Sequence, residues 1–156
     1  MKDSEEKIKV LYVDDEVNNL QAFKATFRRE YQIFLAESAE EARDILEDET
    51  IDIIITDQRM PQETGVEFLE SIIPHHPEPM RILLTGYTDI QAVIDAINKG
   101  QVYHYLTKPW EEDYMRTVVK NAYEVYDLRK RNAQLTKSLL RANDQLEFLL
   151  RQNLLS

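Results

Sequence analysis

The stretch IDIIITD at residues 51–57 joins an apolar run of strand length to an aspartate at its end. Three other runs are built in the same way: KVLYV precedes Asp14 and Asp15, RILL precedes Thr85, and VYHYLT precedes Lys108. Stretches of helical length lie between these runs, a pattern typical of βαβ units and a parallel sheet. IDIIIT and RILLT are apolar on both faces, as expected of central strands covered by helices on both sides.

We therefore predict an α/β fold with five strands and four intervening helices. The strands are expected at about 8–13, 32–36, 51–56, 80–84 and 102–106, and the helices at about 17–29, 39–48, 65–73 and 89–99. No glycine or proline follows Pro109. The sequence therefore predicts one long helix from Glu111 to Ser156, which would measure about 69 Å at 1.5 Å per residue.

Composition restricts the class of protein. The 156 residues suffice for one domain and an appendage, and the absence of cysteine excludes disulfides and thiolate metal sites. The sequence contains neither an apolar run of membrane-spanning length nor a signal peptide, so we expect a cytoplasmic protein without membrane contact. The net charge is −10. Since residues 111–156 contribute eight basic and seven acidic side chains, the acidity lies in the first part of the chain. Direct nucleic-acid binding is not expected.

The polar residues at the strand ends predict a site. Carboxyl ends of parallel strands meet at one edge of a sheet, so Asp14, Asp15, Asp57, Thr85 and Lys108 should gather there. Carboxylate oxygens suit Mg²⁺ or Mn²⁺, whereas lysine and threonine can hold phosphate oxygens. A simpler role for the paired acids is capping of the first helix.

Residues 6–125 resemble the receiver domain of two-component response regulators. The resemblance rests on Asp14-Asp15, on Asp57 within ITDQRMP, and on Gly65, Thr85-Gly86 and Lys108-Pro109. It implies a flavodoxin-like, doubly wound sheet of order 2-1-3-4-5. It also implies that Asp57 accepts a phosphoryl group from a sensor histidine kinase or phosphotransfer protein, without independent catalytic output. Its implied metal ligands are Asp14, Asp15, Asp57 and the backbone carbonyl of Arg59.

The resemblance also assigns the surrounding residues. Lys108, aimed by a cis bond to Pro109, pairs with the acceptor and later with the phosphoryl group. Thr85 turns toward that group, and Tyr105 then rotates inward. Neighbouring aromatic residues, Tyr103, His104 and Trp110 among them, should enlarge this face. Two more residues, Arg59 and Tyr87, are expected to overhang the site and tune the access of water.

Two other functions are alternatives to the phosphorylation switch. Phosphatases and phosphotransferases of the haloacid dehalogenase type use an aspartate nucleophile with a second aspartate two residues later, where this chain has Arg59. The second alternative is a receiver-fold interaction module that works without phosphorylation.

The tail shows a heptad pattern. Positions spaced alternately by three and four carry Val125, Leu128, Asn132, Leu135, Leu139, Ala142, Leu146, Leu149 and Asn153. Asparagine at two a positions favours a parallel two-stranded coil. We therefore expect residues 126–156 to form a homodimeric coiled coil that continues the last receiver helix. The alternative is an amphipathic helix that packs on its own body or on a missing domain.

Two segments of the sequence bear on the output of the protein. LLTGYTD and YLTKPW resemble receivers placed ahead of cyclic-dinucleotide phosphodiesterases, phosphatases or sensor kinases. These 156 residues contain no such output domain. We expect the chain to be the amino-terminal part of a longer regulator, or to act alone through protein contacts.

Overall fold

A computed structural model describes residues 6–155, except for the side chain of Tyr87. Five parallel strands form one sheet in the order β2-β1-β3-β4-β5, which confirms the predicted fold. The strands are β1 Ile8–Val13, β2 Tyr31–Ala36, β3 Ile53–Asp57, β4 Met80–Thr85 and β5 His104–Thr107.

The helices lie within two residues of their predicted bounds. They are α1 Val17–Phe27, α2 Ala39–Asp48, α3 Gly65–Ile72, α4 Ile90–Asn98 and α5 Glu112–Leu155. A short 3₁₀ turn over Tyr87–Asp89 leads into α4. The last predicted helical residue, Ser156, lies outside the described residues.

Two apolar layers cover the sheet. Helices α1 and α5 pack on one face, with Phe23, Phe27 and Val119 fully buried against strand residues such as Ile55. Helices α2, α3 and α4 pack on the other face, where Phe68 is fully buried. The central strands contribute side chains to both layers, and this explains why their sequences are apolar throughout.

Helix α5 belongs partly to the body and extends well beyond it. The carboxylate of Glu111 accepts hydrogen bonds from the backbone N–H groups of Asp113 and Tyr114, so the helix begins directly after it. Residues through Tyr126 pack on the sheet, whereas side chains from Leu128 onward are exposed. None of the helices in residues 6–155 is both long and apolar enough to cross a membrane.

Candidate functional site

The strand-end residues converge at one edge of the sheet. Asp14 follows β1, Asp57 ends β3, Thr85 ends β4, and Lys108 follows β5. The Lys108 Nζ atom lies 2.7 Å from Asp57 Oδ1 and 3.7 Å from Asp14 Oδ2. The structure thus places an ammonium between two buried carboxylates drawn from different strands.

Three carboxylates form an acidic cluster in this edge. Asp14, Asp15 and Asp57 each offer one oxygen, and these oxygens lie within 4.8 Å of one another. Asp14 and Asp57 are buried, whereas Asp15 is exposed. Oxygens bound to octahedral Mg²⁺ at about 2.1 Å lie roughly 3–4 Å apart, so this donor set fits the ion.

The environment of Asp57 controls its charge. Burial raises the pKa of the Asp57 carboxyl above its usual range, because the anion loses hydration. The hydrogen bond and positive charge of Lys108 oppose that increase, whereas the nearby Asp14 carboxylate adds to it. The ammonium therefore compensates for part of the cost of holding two acids in a buried position.

Asp14 is held by two donors from the start of the first helix. Its Oδ1 accepts a hydrogen bond from the Glu16 backbone N–H at 2.9 Å, and its Oδ2 accepts one from Asn19 Nδ2 at 3.0 Å. Sequence reasoning missed Asn19. The feature that could have identified Asn19 is its position, since it places an amide side chain about one helical turn after the paired acids.

The floor of the site requires a residue without a side chain. A Cβ atom built on Gly65 would lie only 2.4 Å from the carbonyl oxygen of Asp57, so the start of α3 packs directly on the backbone of Asp57. The backbone N–H of Gly65 donates to Gln58 O at 3.0 Å, and Gln58 Oε1 accepts from Val66 N at 2.9 Å. Gln58 was not predicted as a site residue, although it adjoins Asp57 in sequence.

Thr85 and Tyr105, the two residues predicted to move on phosphorylation, lie on β4 and β5. The Thr85 hydroxyl is buried and donates to the carbonyl of Gly86 at 3.0 Å. The backbone N–H of Lys108 donates to Thr85 O at 3.0 Å, and the bond between Lys108 and Pro109 is cis. Tyr105 is half-buried and packs against the layer of α2, α3 and α4.

An exposed arginine, two residues after Asp57, pairs with the segment that follows β4. Arg59 Nε lies 2.9 Å from Asp89 Oδ2, and its Nη2 donates to Thr88 Oγ1 at 2.7 Å. These contacts connect the loop after β3 to the segment before α4. The side chain of Tyr87, which we also predicted to overhang the site, lies outside the described residues.

The structure corrects the predicted aromatic face. The Trp110 ring lies 6.0 Å from Phe23 and 5.6 Å from Phe27 between centroids, in the layer of α1 and α5. It therefore lies on the opposite side of the sheet from Tyr105. The other two aromatic residues lie where predicted, since the His104 ring is 6.4 Å from Tyr103 and 6.2 Å from Tyr105 between centroids. His104 Nε2 also contacts the Tyr114 hydroxyl at 3.3 Å.

This sheet and its strand-edge acids define a receiver, and comparison with known proteins identifies the family. The family model of the response regulator receiver domain matches residues 10–120. The chain therefore belongs to the receiver domains of two-component response regulators.

A curated relative is much longer than this chain. The hydrogenase transcriptional regulatory protein HoxA of Cupriavidus necator is 38% identical over 126 residues, which cover 81% of this chain and 26% of HoxA. The chain thus spans about a quarter of that relative.

Solved structures show the same similarity. An adenylate cyclase structure from Rhodopirellula baltica has a TM-score of 0.82 at 26% identity, covering 85% of this chain and 98% of that one. The signal receiver domain of an HD domain-containing protein from Pseudomonas fluorescens Pf-5 has a TM-score of 0.73 at 30% identity, covering 78% and 98%.

Proposed function

We propose that this receiver is a phosphorylation-controlled switch of the cytoplasm, with Asp57 as the acceptor of a phosphoryl group from a sensor histidine kinase or phosphotransfer protein. The observation that carries the proposal is the pairing of a buried Asp57 with Lys108 at 2.7 Å, beside two further carboxylates. A structural ion pair alone would not need the exposed third acid, Asp15.

The reaction follows from the groups at the site. An Asp57 carboxylate oxygen attacks phosphorus, the new O–P bond forms, and the bond from phosphorus to the donor's nitrogen or oxygen breaks. The Lys108 ammonium is placed to pair with a phosphoryl oxygen after transfer. Bound Mg²⁺ or Mn²⁺ would supply positive charge that offsets the repulsion between the carboxylate and the phosphoryl oxygens.

The surroundings of the three acids indicate which of them would bind the metal directly. Because Asp14 already accepts hydrogen bonds from Glu16 and Asn19, we assign direct ligation mainly to Asp15 and Asp57, with Asp14 acting partly through water. The carbonyl oxygen of Arg59 accepts no hydrogen bond in the described part of the chain, so it is available as a further ligand.

We propose that Thr85 and Tyr105 transmit the change. A phosphoryl group on Asp57 would offer the buried Thr85 hydroxyl a stronger acceptor than the Gly86 carbonyl. Movement of Thr85 would open space beside the half-buried Tyr105, whose inward rotation would reshape the face formed by α4, β5 and α5. The receiver catalyses only its own modification in this scheme.

Replacing Lys108 by alanine should uncouple the switch from phosphorylation. The variant should fold, because Lys108 lies at the edge of the site and is partly exposed. The substitution removes the cation that links Asp57 to β5. Backbone amide NMR shifts of His104–Thr107 should respond to beryllofluoride in the natural protein, and several-fold less in Lys108→Ala. A response of natural size would contradict the role of Lys108.

Arg59 is proposed to tune the lifetime of the phosphoryl group by closing the mouth of the site. Arg59→Ala should therefore accelerate loss of the label, and Asp89→Asn should act in the same direction because it weakens the same bridge. The measurement is the decay rate of phosphorylated protein after donor removal. Arg29→Ala, an exposed arginine outside the site, is the control. Unchanged decay in both bridge variants would remove this role.

Residues 6–125 are proposed to act as the receiver and residues 126–156 as a homodimeric coil that carries the signal to an output domain or partner. The output class stays a prediction, since the relatives include both a transcriptional regulator and an HD domain-containing protein. We propose no direct nucleic-acid contact by this chain, given its net charge of −10.

Intact mass after incubation with acetyl phosphate and Mg²⁺ tests the proposed function. One phosphoryl group should be added, and excess chelator should prevent the addition. Failure to label at any donor concentration would instead support a phosphorylation-independent interaction module.

A further inference from the structure

A second polar site lies at the opposite edge of the sheet. A cleft of about 940 Å³ opens at the amino ends of β1, β2 and β3, between the end of α1 and the middle of α5. Six basic side chains line it, against three acidic ones. The basic residues are Lys7, Lys9, Lys24, Arg28, Lys130 and Arg131. Such a concentration of positive charge is unexpected in a chain of net charge −10.

Internal contacts already occupy two of the acidic groups. Asp52 is buried, accepts a hydrogen bond from the Lys9 backbone N–H at 2.9 Å, and shares one with the Tyr126 hydroxyl. Asp127 pairs with Arg131 at 2.8 Å.

The basic residues that line the cleft at the end of α1 are Lys24 and Arg28. In residues 6–155, the side chains of Lys24 and Arg28 contact no acidic group within ion-pair distance. The cleft therefore keeps positive charge directed toward solvent on its α1 wall.

We propose that this cleft binds a small anion bearing two or three linked phosphates, of the size of a nucleoside di- or triphosphate. Its volume is that of a small-molecule site, and arginine and lysine recognise phosphate oxygens through charge-assisted hydrogen bonds. Tyr31 and Tyr123 add aromatic surface to the wall. Nucleic acid is disfavoured, because a phosphate backbone requires a long basic face and the rest of the body is acidic.

The cleft lies between the receiver body and α5, so a bound ligand would contact both. Lys24 and Arg28 come from the receiver body, whereas Lys130 and Arg131 lie on α5 just after Tyr126, where the helix leaves the body. An oligophosphate held by both walls would fix the direction in which α5 departs. Strands of six residues separate this cleft from the acidic site by about 20 Å, so the ligand would act on the tail independently of Asp57.

Calorimetric titration of the full chain tests the proposal. The probes are ATP, ADP, inorganic tripolyphosphate and monophosphate, all in excess chelator so that the acidic site cannot recruit metal-bound phosphate. We expect saturable binding of the first three and much weaker binding of monophosphate. Equal affinity for tripolyphosphate and ATP would assign recognition to the phosphates alone, whereas tighter ATP binding would include the base.

Two neighbouring arginines provide a matched pair of variants. Arg28 lines the cleft, whereas Arg29, also exposed, does not. Arg28→Glu should weaken binding at least about tenfold, the loss of one charge-assisted hydrogen bond, and Arg29→Glu should change it little. Lys24→Glu replaces Arg28→Glu if circular dichroism shows that the latter is misfolded.

Three results would overturn the inference. One is the absence of saturable binding by any oligophosphate, and the second is equal weakening in the Arg28→Glu and Arg29→Glu variants. The third is displacement of tripolyphosphate by an oligoglutamate peptide at equal concentration, which would identify the cleft as a dock for an acidic protein segment.

Discussion

Asp57→Asn should take up no phosphoryl group from acetyl phosphate under conditions that label the natural protein fully. The amide has nearly the same shape as the carboxylate and its oxygen still accepts a hydrogen bond from Lys108, so the fold should survive. It lacks the anionic oxygen that attacks phosphorus, and nothing else at the edge replaces it: Asp14 is held by its own donors, and Asp15 is exposed to solvent. Intact mass gives the extent of labelling.

The matched control for this variant is Asp44→Asn, which makes the same chemical change at an exposed position of α2. It should be labelled as fully as the natural protein. Persistent labelling of Asp57→Asn, with the phosphoryl group mapped by peptide analysis to Asp14 or Asp15, would reassign the acceptor. Labelling of the natural protein in excess chelator would reject the metal site.

The sequence was most informative where chemistry follows directly from strand ends. Asp57 and Thr85 close buried apolar runs, and the parallel topology necessarily brings their ends to one edge. A one-residue error in a strand boundary does not alter this convergence. The fold and the gathering of the acids with Lys108 were therefore predictable from spacing together with the family resemblance.

Contacts between residues distant in sequence were not predictable in this way. The bridge from Arg59 to Asp89 joins two loops thirty positions apart, and no local pattern fixes the direction of an exposed side chain. Trp110 was wrongly placed beside Tyr105, since the chain crosses to the α1 side of the sheet after Pro109. Asn19 was missed because an amide in a first turn is common without any site.

The tail should make the chain a dimer in solution. The leucines at the predicted seam are largely exposed in the single chain, with exposed fractions of 64% for Leu128, 70% for Leu139 and 57% for Leu146. Val125, the first predicted seam residue, packs partly on the receiver core, so the free seam begins at Leu128. Burying each leucine stabilises by roughly 1.5–3 kcal/mol, and a second copy presents the complementary surface.

Seam substitutions distinguish a coil from a merely apolar tail. Leu139→Glu with Leu146→Glu places charges at two a positions and should convert the dimer to monomer in sedimentation velocity. Leu140→Glu with Phe148→Glu changes residues of similar exposure, 60% each, that lie outside the seam, and it should leave the dimer intact. If both pairs dissociate the dimer equally, association does not follow the heptad.

We expect Asn132 and Asn153 to set the direction of pairing, because an asparagine at an a position is satisfied best by its counterpart in a parallel, in-register partner. The chain has no cysteine, so Leu149→Cys introduces a single thiol near the end of the helix. In a parallel coil this d position faces its twin, and mild oxidation should convert most of the variant to covalent dimer. Cysteine in place of Phe148, on the outer face, is the matched control and should cross-link slowly. Cross-linking of Leu149→Cys only with a cysteine placed at Leu128 would show that the helices are antiparallel, and the asparagines would then not pair with their counterparts.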